Sequence, residues 1–126
     1  MRVVLDTQKE GMEALVKPWE LEALNFLWER GREGASSREV WEYVSKNYKI
    51  SRASIINLLH RLTKNGVLEK EERSGKGGYH GVFRPRLDER EFGLEVVRTV
   101  LSKLKELFPE ALNVVLKELA QSKEKI

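Results

Sequence analysis

The sequence predicts a mainly α-helical fold with one small β-hairpin. Three observations carry that expectation. Apolar residues recur at spacings of three and four through five separate segments, the helical period. Pro is scarce at three residues. Gly clusters in only two places, and the second, Ser74 to Gly78, fits one tight connection between two short strands. At 126 residues, 40% hydrophobic and 34% charged, the chain has enough apolar material for one compact domain with an appendage, and too much for a disordered chain.

Residues 1–17 give little pattern. Arg2 to Leu5 is a short apolar piece, a strand or a frayed end, and Gly11 interrupts any long helix. The first helix is expected to open at Pro18, where a missing N–H costs nothing. Glu20 and Glu22 favour its positive end. Leu21, Leu24, Leu27 and Trp28 form its apolar face, and Gly31 and Gly34 end it. A second helix begins near Ser37. Ser36 or Ser37 can cap it, and Glu39 stands three after Ser36 as in a capping box. Val40, Val44 and Tyr48 mark its inner face, extended by Trp41. A third begins at Ser51, another capping residue. Its stripe is Ile55, Leu58, Leu59 and Leu62, and Asn65-Gly66 ends it. The short link Asn47 to Ser51 makes the second and third helices a helix-turn-helix. Val67 to Arg73 and Tyr79 to Arg84 are the strands, closed by Pro85. A long helix is expected from about Asp88 to Phe108, and another after Pro109.

Three helices followed by a hairpin is the order of a winged helix-turn-helix. Charge adds to this. Residues 51–86 carry eight Lys/Arg against three Glu, whereas acids and bases nearly balance elsewhere. A localised basic patch is the footprint of a polyanion binder. A B-form major groove admits one α-helix, whose side chains read donors and acceptors on base edges. With the third helix's stripe turned inward, Ala53, Asn57, His60 and Lys64 point out, flanked by Arg52, Ser54, Ile56 and Arg61, with Ser51 at its start. Asn pairs bidentately with adenine and Arg with guanine, and Ile56 suits a thymine methyl. Arg73 and Lys76 at the glycine-rich tip suit phosphates. The expected partner is therefore double-stranded DNA.

Other chemistries find no residues. Only two His are present, His60 and His80, with no Cys. No nucleophile–base pair, metal-spaced cluster or phosphate-binding loop stands out, so neither enzyme activity, metal nor cofactor is expected. No run of about 18 apolar residues exists to span a membrane. The apolar piece at the start is too short for a signal peptide. The expected location is the cytoplasm, with no membrane partner.

The segment beyond the hairpin speaks to assembly. Phe92, Val96, Val97, Val100, Leu101, Leu104 and Leu107 form one stripe, and Leu112, Val115, Leu116 and Leu119 form another. A complete winged-helix core leaves little to bury them, so a second copy of the chain is the expected partner. The expected organisation is an N-terminal extension, 1–17, a winged helix-turn-helix, 18–86, and C-terminal dimerisation helices, 87–126. A winged helix serving as a protein-interaction or RNA-binding module remains the alternative.

Three stretches resemble one family. Val16 to Trp28 looks like the opening helix of the penicillinase-repressor regulators, with an acid at Glu20 and Leu27-Trp28 following. Ser54 to Leu68 is similar to their recognition helix, and Tyr79 to Pro85 to their second wing strand. The resemblance implies a dimeric repressor on a palindromic operator. Leu112-Asn113-Val114-Val115 looks like the neighbourhood of the Asn-Phe bond at which those repressors are cleaved, with Val114 in place of Phe. The N-terminal extension is longer than the family usually shows.

Overall fold

The computed structural model describes residues 1–75 and 78–124. A 3₁₀ turn, Gly11–Ala14, leads into helix α1, Pro18–Arg30, and a second such turn, Gly31–Glu33, follows it. Helices α2, Ser37–Val44, and α3, Arg52–Lys64, precede strands β1, Leu68–Gly75, and β2, Gly78–Pro85. Helices α4, Glu89–Leu107, and α5, Pro109–Glu124, complete the described chain.

Local chemistry sets the boundaries. The Ser36 hydroxyl accepts the Glu39 N–H at 3.2 Å while the Glu39 carboxylate accepts the Ser36 N–H at 3.0 Å, closing the expected box. Asp88 and Glu91 repeat the arrangement at α4, at 2.7 and 3.2 Å. Ser51 caps α3 by accepting the Ser54 N–H at 3.1 Å. Helix α2 is shorter than its apolar spacing suggested. It ends at Val44, and Tyr48 packs on the core from the turn beyond.

The core lies among α1, α2, α3 and the hairpin. Ala23, Leu24 and Leu27 meet Val40, Val44, Ile55, Leu58, Leu59, Leu62, Leu68 and Phe83. Burial of each such Leu or Ile is worth about 1.5–3 kcal/mol. The strands pair antiparallel from Leu68↔Pro85 to Gly75↔Gly78. Ser74 and Gly75, expected in the connection between the strands, therefore belong to the ladder. Lys76, the second expected wing contact, lies outside the described residues.

Sequence patterning missed a third element of the sheet. Ala35 pairs with Phe83, each N–H donating to the other's carbonyl at 2.8 Å. Gly34 makes this approach possible. Its φ is +67°, and a Cβ there would lie 2.6 Å from the Phe83 carbonyl oxygen.

Helix α4 docks through its first turns. Phe92 is buried against Trp28, with ring centroids 5.7 Å apart. The Trp28 indole N–H donates to the Leu87 carbonyl at 3.0 Å. Phe92 was expected on an assembly surface. It belongs instead to the intrachain core, because the first turn of α4 folds back onto α1, and Val96 packs partly against the same cluster. Val100, Leu101 and Leu112 are half-buried, and the rest of the apolar set stays uncovered: Val97 and Leu107 are each 54% exposed and Leu119 61%. Among the described residues no helix is long and apolar enough to cross a membrane.

Candidate nucleic-acid interface

Helix α3 stands at the surface because one stripe of it is apolar. Ile55, Leu58, Leu59 and Leu62 are buried, which turns Ala53, Asn57, His60 and Lys64 outward, and all four are exposed. Arg52 is exposed at the start of the helix, while Ser54 and Ile56 are half-buried on its flanks. The Ser51 hydroxyl is engaged as the cap and lies 3.0 Å from the Ser54 hydroxyl. His60 leans toward the wing, its ring centroid 6.1 Å from that of Phe83.

The turn before α3 is held by two side chains. The Trp41 indole N–H donates to the Ile50 carbonyl at 2.9 Å, and the Asn47 amide donates to Glu22 at 2.7 Å. Arg30 fixes the start of α2 by bonding Glu39 at 2.8 Å. The Ser36 N–H, assisted by Arg30, holds the Glu39 carboxyl below its ordinary value of 4.5 despite partial burial.

Arg61 departs from the sequence expectation. Its guanidinium pairs with Glu20 of α1, whose side chain is 8% exposed and whose other oxygen accepts the Lys17 N–H at 2.8 Å. A buried carboxylate needs such a partner. Arg61 thus joins α3 to α1 while its side chain stays 59% exposed on the helix flank. Glu20, read from sequence as a helix-dipole acid, is the hidden half of that pair.

The wing differs in the same way. Arg84 bonds Glu69 at 2.8 Å and Glu71 at 2.6 Å, and these bonds raise its pKa. Arg84 first, and then Arg73 at 3.2 Å, lower that of Glu71. Lys70 lies 3.0 Å from Glu72. Arg61, Lys70, Arg73 and Arg84 of residues 51–86 are thus paired with carboxylates, but three of these are the Glu already subtracted in the count of eight against three, so only Glu20 lowers the basic excess. Its open part among the described residues is Arg52 and Lys64 on α3, with Arg86 reaching the Gly66 carbonyl at 3.4 Å. Three-dimensional pairing between Glu20 and Arg61, 41 residues apart, left no mark in a local charge count.

A capped, outward-facing helix braced by a turn and flanked by a hairpin defines a winged helix-turn-helix, the class of fold that presents one helix to a DNA groove. The family model described as penicillinase repressor matches residues 17–126. No curated protein matches the chain. The similar solved structures include two of the PcaV transcriptional regulator from Streptomyces coelicolor. One, in complex with its natural ligand, shares 24% identity over 86% of this chain and 74% of that one, with a TM-score of 0.45. The other shares 22% identity over 86% of this chain and 80% of that one, with a TM-score of 0.44. The chain belongs to the penicillinase repressor family, and it is a DNA-binding transcription regulator.

Proposed function

We propose that the protein is a homodimeric repressor that reads a palindromic operator with α3 and rests its wing on the backbone. Residues 18–86 form the DNA-binding unit, residues 87–126 the dimerisation region, and residues 1–17 an extension of the first. In this reading Asn57 and Arg52 contact base edges. Ala53, Ser54, Ile56 and His60 line the groove, and Ser51 and Lys64 reach phosphates. Arg73 and Lys76 are the wing's contacts, with Arg73 leaving Glu71 to make one.

The uncovered C-terminal surface carries the dimer. The chain exposes 9328 Å². A compact monomer of 14.6 kDa exposes about 6,900 Å² by the usual scaling. The excess of about 2,400 Å² per chain is the scale of an obligate interface. Gly93, Val97, Val100, Leu104 and Leu107 follow one another at spacings of four, three, four and three along α4, the seam of a helix pairing with its own copy. Leu101 flanks that seam, and Leu112, Val115, Leu116 and Leu119 continue the apolar surface on α5. Two-fold pairing places half-sites about 34–36 Å apart, or a multiple of that.

Selection from random duplexes tests both parts, read together with light scattering over a concentration series. Expected are an enriched motif with two-fold symmetry and a dimer at micromolar concentration. A monomer at high micromolar concentration, free and on DNA, overturns the dimer. Enrichment of no duplex motif, with capture of RNA or a protein instead, overturns the operator.

A further inference from the structure

The family match begins at residue 17, and the sixteen residues before it have a definite course. Their base is bolted to the 3₁₀ turn ahead of α1. The Asp6 N–H donates to the Ala14 carbonyl at 2.8 Å, and the Asp6 carboxylate accepts the Gln8 N–H at 2.9 Å. Met12, Leu15 and Val16 pack on the core. Ahead of Asp6 the chain runs back to the far end of α3. There the Asn65 side chain meets the backbone of Arg2 on both sides, accepting its N–H at 3.3 Å and donating to its carbonyl at 3.4 Å. Met1 and Val3 then line a groove of about 610 Å³ with Thr99, Val100 and Lys103 of α4. One segment thus packs beside α1, bonds the end of the reading helix, and faces the middle of the long C-terminal helix across that groove.

We propose that this N-terminal arm, clamped by Asn65, sets the angle between α3 and α4 and thereby the half-site spacing that the protein accepts. The proposal rests on the dimeric reading above. Phe92 and Val96 anchor α4 within its first two turns, and a short anchor resists tilting poorly. Leu104 lies twelve residues beyond Phe92, about 18 Å along the helix axis. A swing of about 10° moves it by about 3 Å, close to the rise of about 3.4 Å per base pair. An arm clamped to the end of α3 that stands across the groove from Thr99–Lys103 limits that swing by closing on α4. Asn65 acts through the arm and touches no DNA, so it is a positioning residue.

The test uses the full chain, a variant lacking residues 2–5, and Asn65→Ala. Each is titrated against the duplex motif that wild type selects, with the half-sites moved apart or together by one and two base pairs. A single half-site duplex and thermal unfolding serve as controls. Wild type should prefer its own spacing by roughly tenfold or more, about 1.4 kcal/mol. Both variants should flatten that preference to within about twofold while binding the single half-site as wild type does, since affinity through linkage depends on geometry. Asn65→Asp, which keeps the acceptor for the Arg2 N–H, should recover part of it. Variants that keep the wild-type spacing preference overturn the proposal. Weaker single half-site binding, with the spacing preference intact, overturns it too and makes the arm a stability element. A dimeric wild type indifferent to spacing overturns the proposal alone, whereas a wild type monomeric by light scattering, free and on DNA, overturns the dimeric reading and the proposal with it.

Discussion

Gly34→Ala is the most telling single-methyl change. Gly34 has φ +67° and ψ −171°, a backbone region that is essentially glycine's own and costs another residue about 1–3 kcal/mol. The added Cβ would also lie 2.6 Å from the Phe83 carbonyl oxygen and 2.8 Å from a Val82 methyl. Backbone has to move, and the two Ala35–Phe83 hydrogen bonds go with it, at about 0.5–1.5 kcal/mol each. The expected loss is about 3–5 kcal/mol, which lowers the melting temperature by about 12–20 °C at about 4 °C per kcal/mol. Gly31→Ala is the matched control. Gly31 has φ +59° with nothing within 4 Å of its Cβ position, so it carries the conformational cost alone, about 1–3 kcal/mol. Thermal unfolding by circular dichroism measures both. Equal losses in the two variants would refute the argument that the hairpin's approach to Ala35 is what demands glycine.

Four further outcomes follow from the interface and the C-terminal helices. Arg61→Ala should cost about 1–3 kcal/mol of stability by leaving the Glu20 carboxylate short of a partner while keeping the cognate-to-scrambled affinity ratio; Asn57→Ala should do the reverse, losing about 1–3 kcal/mol of discrimination. Denaturant melts paired with duplex titrations separate the two. Because the Glu39 carboxyl titrates below its ordinary value, its contribution is fully present above about pH 4.5 and is lost as pH falls through the lowered pKa; Glu39→Gln should flatten that part of a stability–pH profile measured between neutral and acid pH. Leu104→Glu should yield monomers by light scattering and collapse operator affinity, and a wild-type dimer constant in this variant would move the seam elsewhere.

Much of the fold was legible because its signals are local. Ser36 with Glu39, Ser51, and Asn65-Gly66 mark helix ends through groups a few residues apart, and the third helix's stripe is buried as its spacing required. What escaped reading is non-local. The Ala35 bridge depends on Phe83, 48 positions on, with Gly34 as its trace, and that glycine read equally well as a helix stop. Likewise the Glu20 partner of Arg61 escaped reading because an exposed flank looks the same whether or not it also bonds a buried acid on another helix. Phe92 fell in one stripe with Val97 and Leu104, yet at 100° per residue it points toward α1 while they point away. Only the docked helix tells the two faces apart.

The same division bears on how the protein folds. Past Phe92 the described chain buries no residue fully, yet α4 and α5 continue for more than two dozen residues. Ordering each residue costs about 1–2 kcal/mol of backbone entropy. Helices of this length are marginal in water without an apolar face to bury. Intrachain packing offers the distal half of α4 and all of α5 little compensation, so in the proposed dimer their order is supplied by the partner chain. Folding of residues 97–124 and association would then be one process. Stability of that region should rise with protein concentration, while the winged-helix core, closed by its own Leu and Ile side chains, should melt independently of it. A Leu104→Glu monomer would accordingly keep the Trp28–Phe92 contact and lose helical signal from the C-terminal part. It would dock α3 into a single half-site with the linkage between half-sites gone.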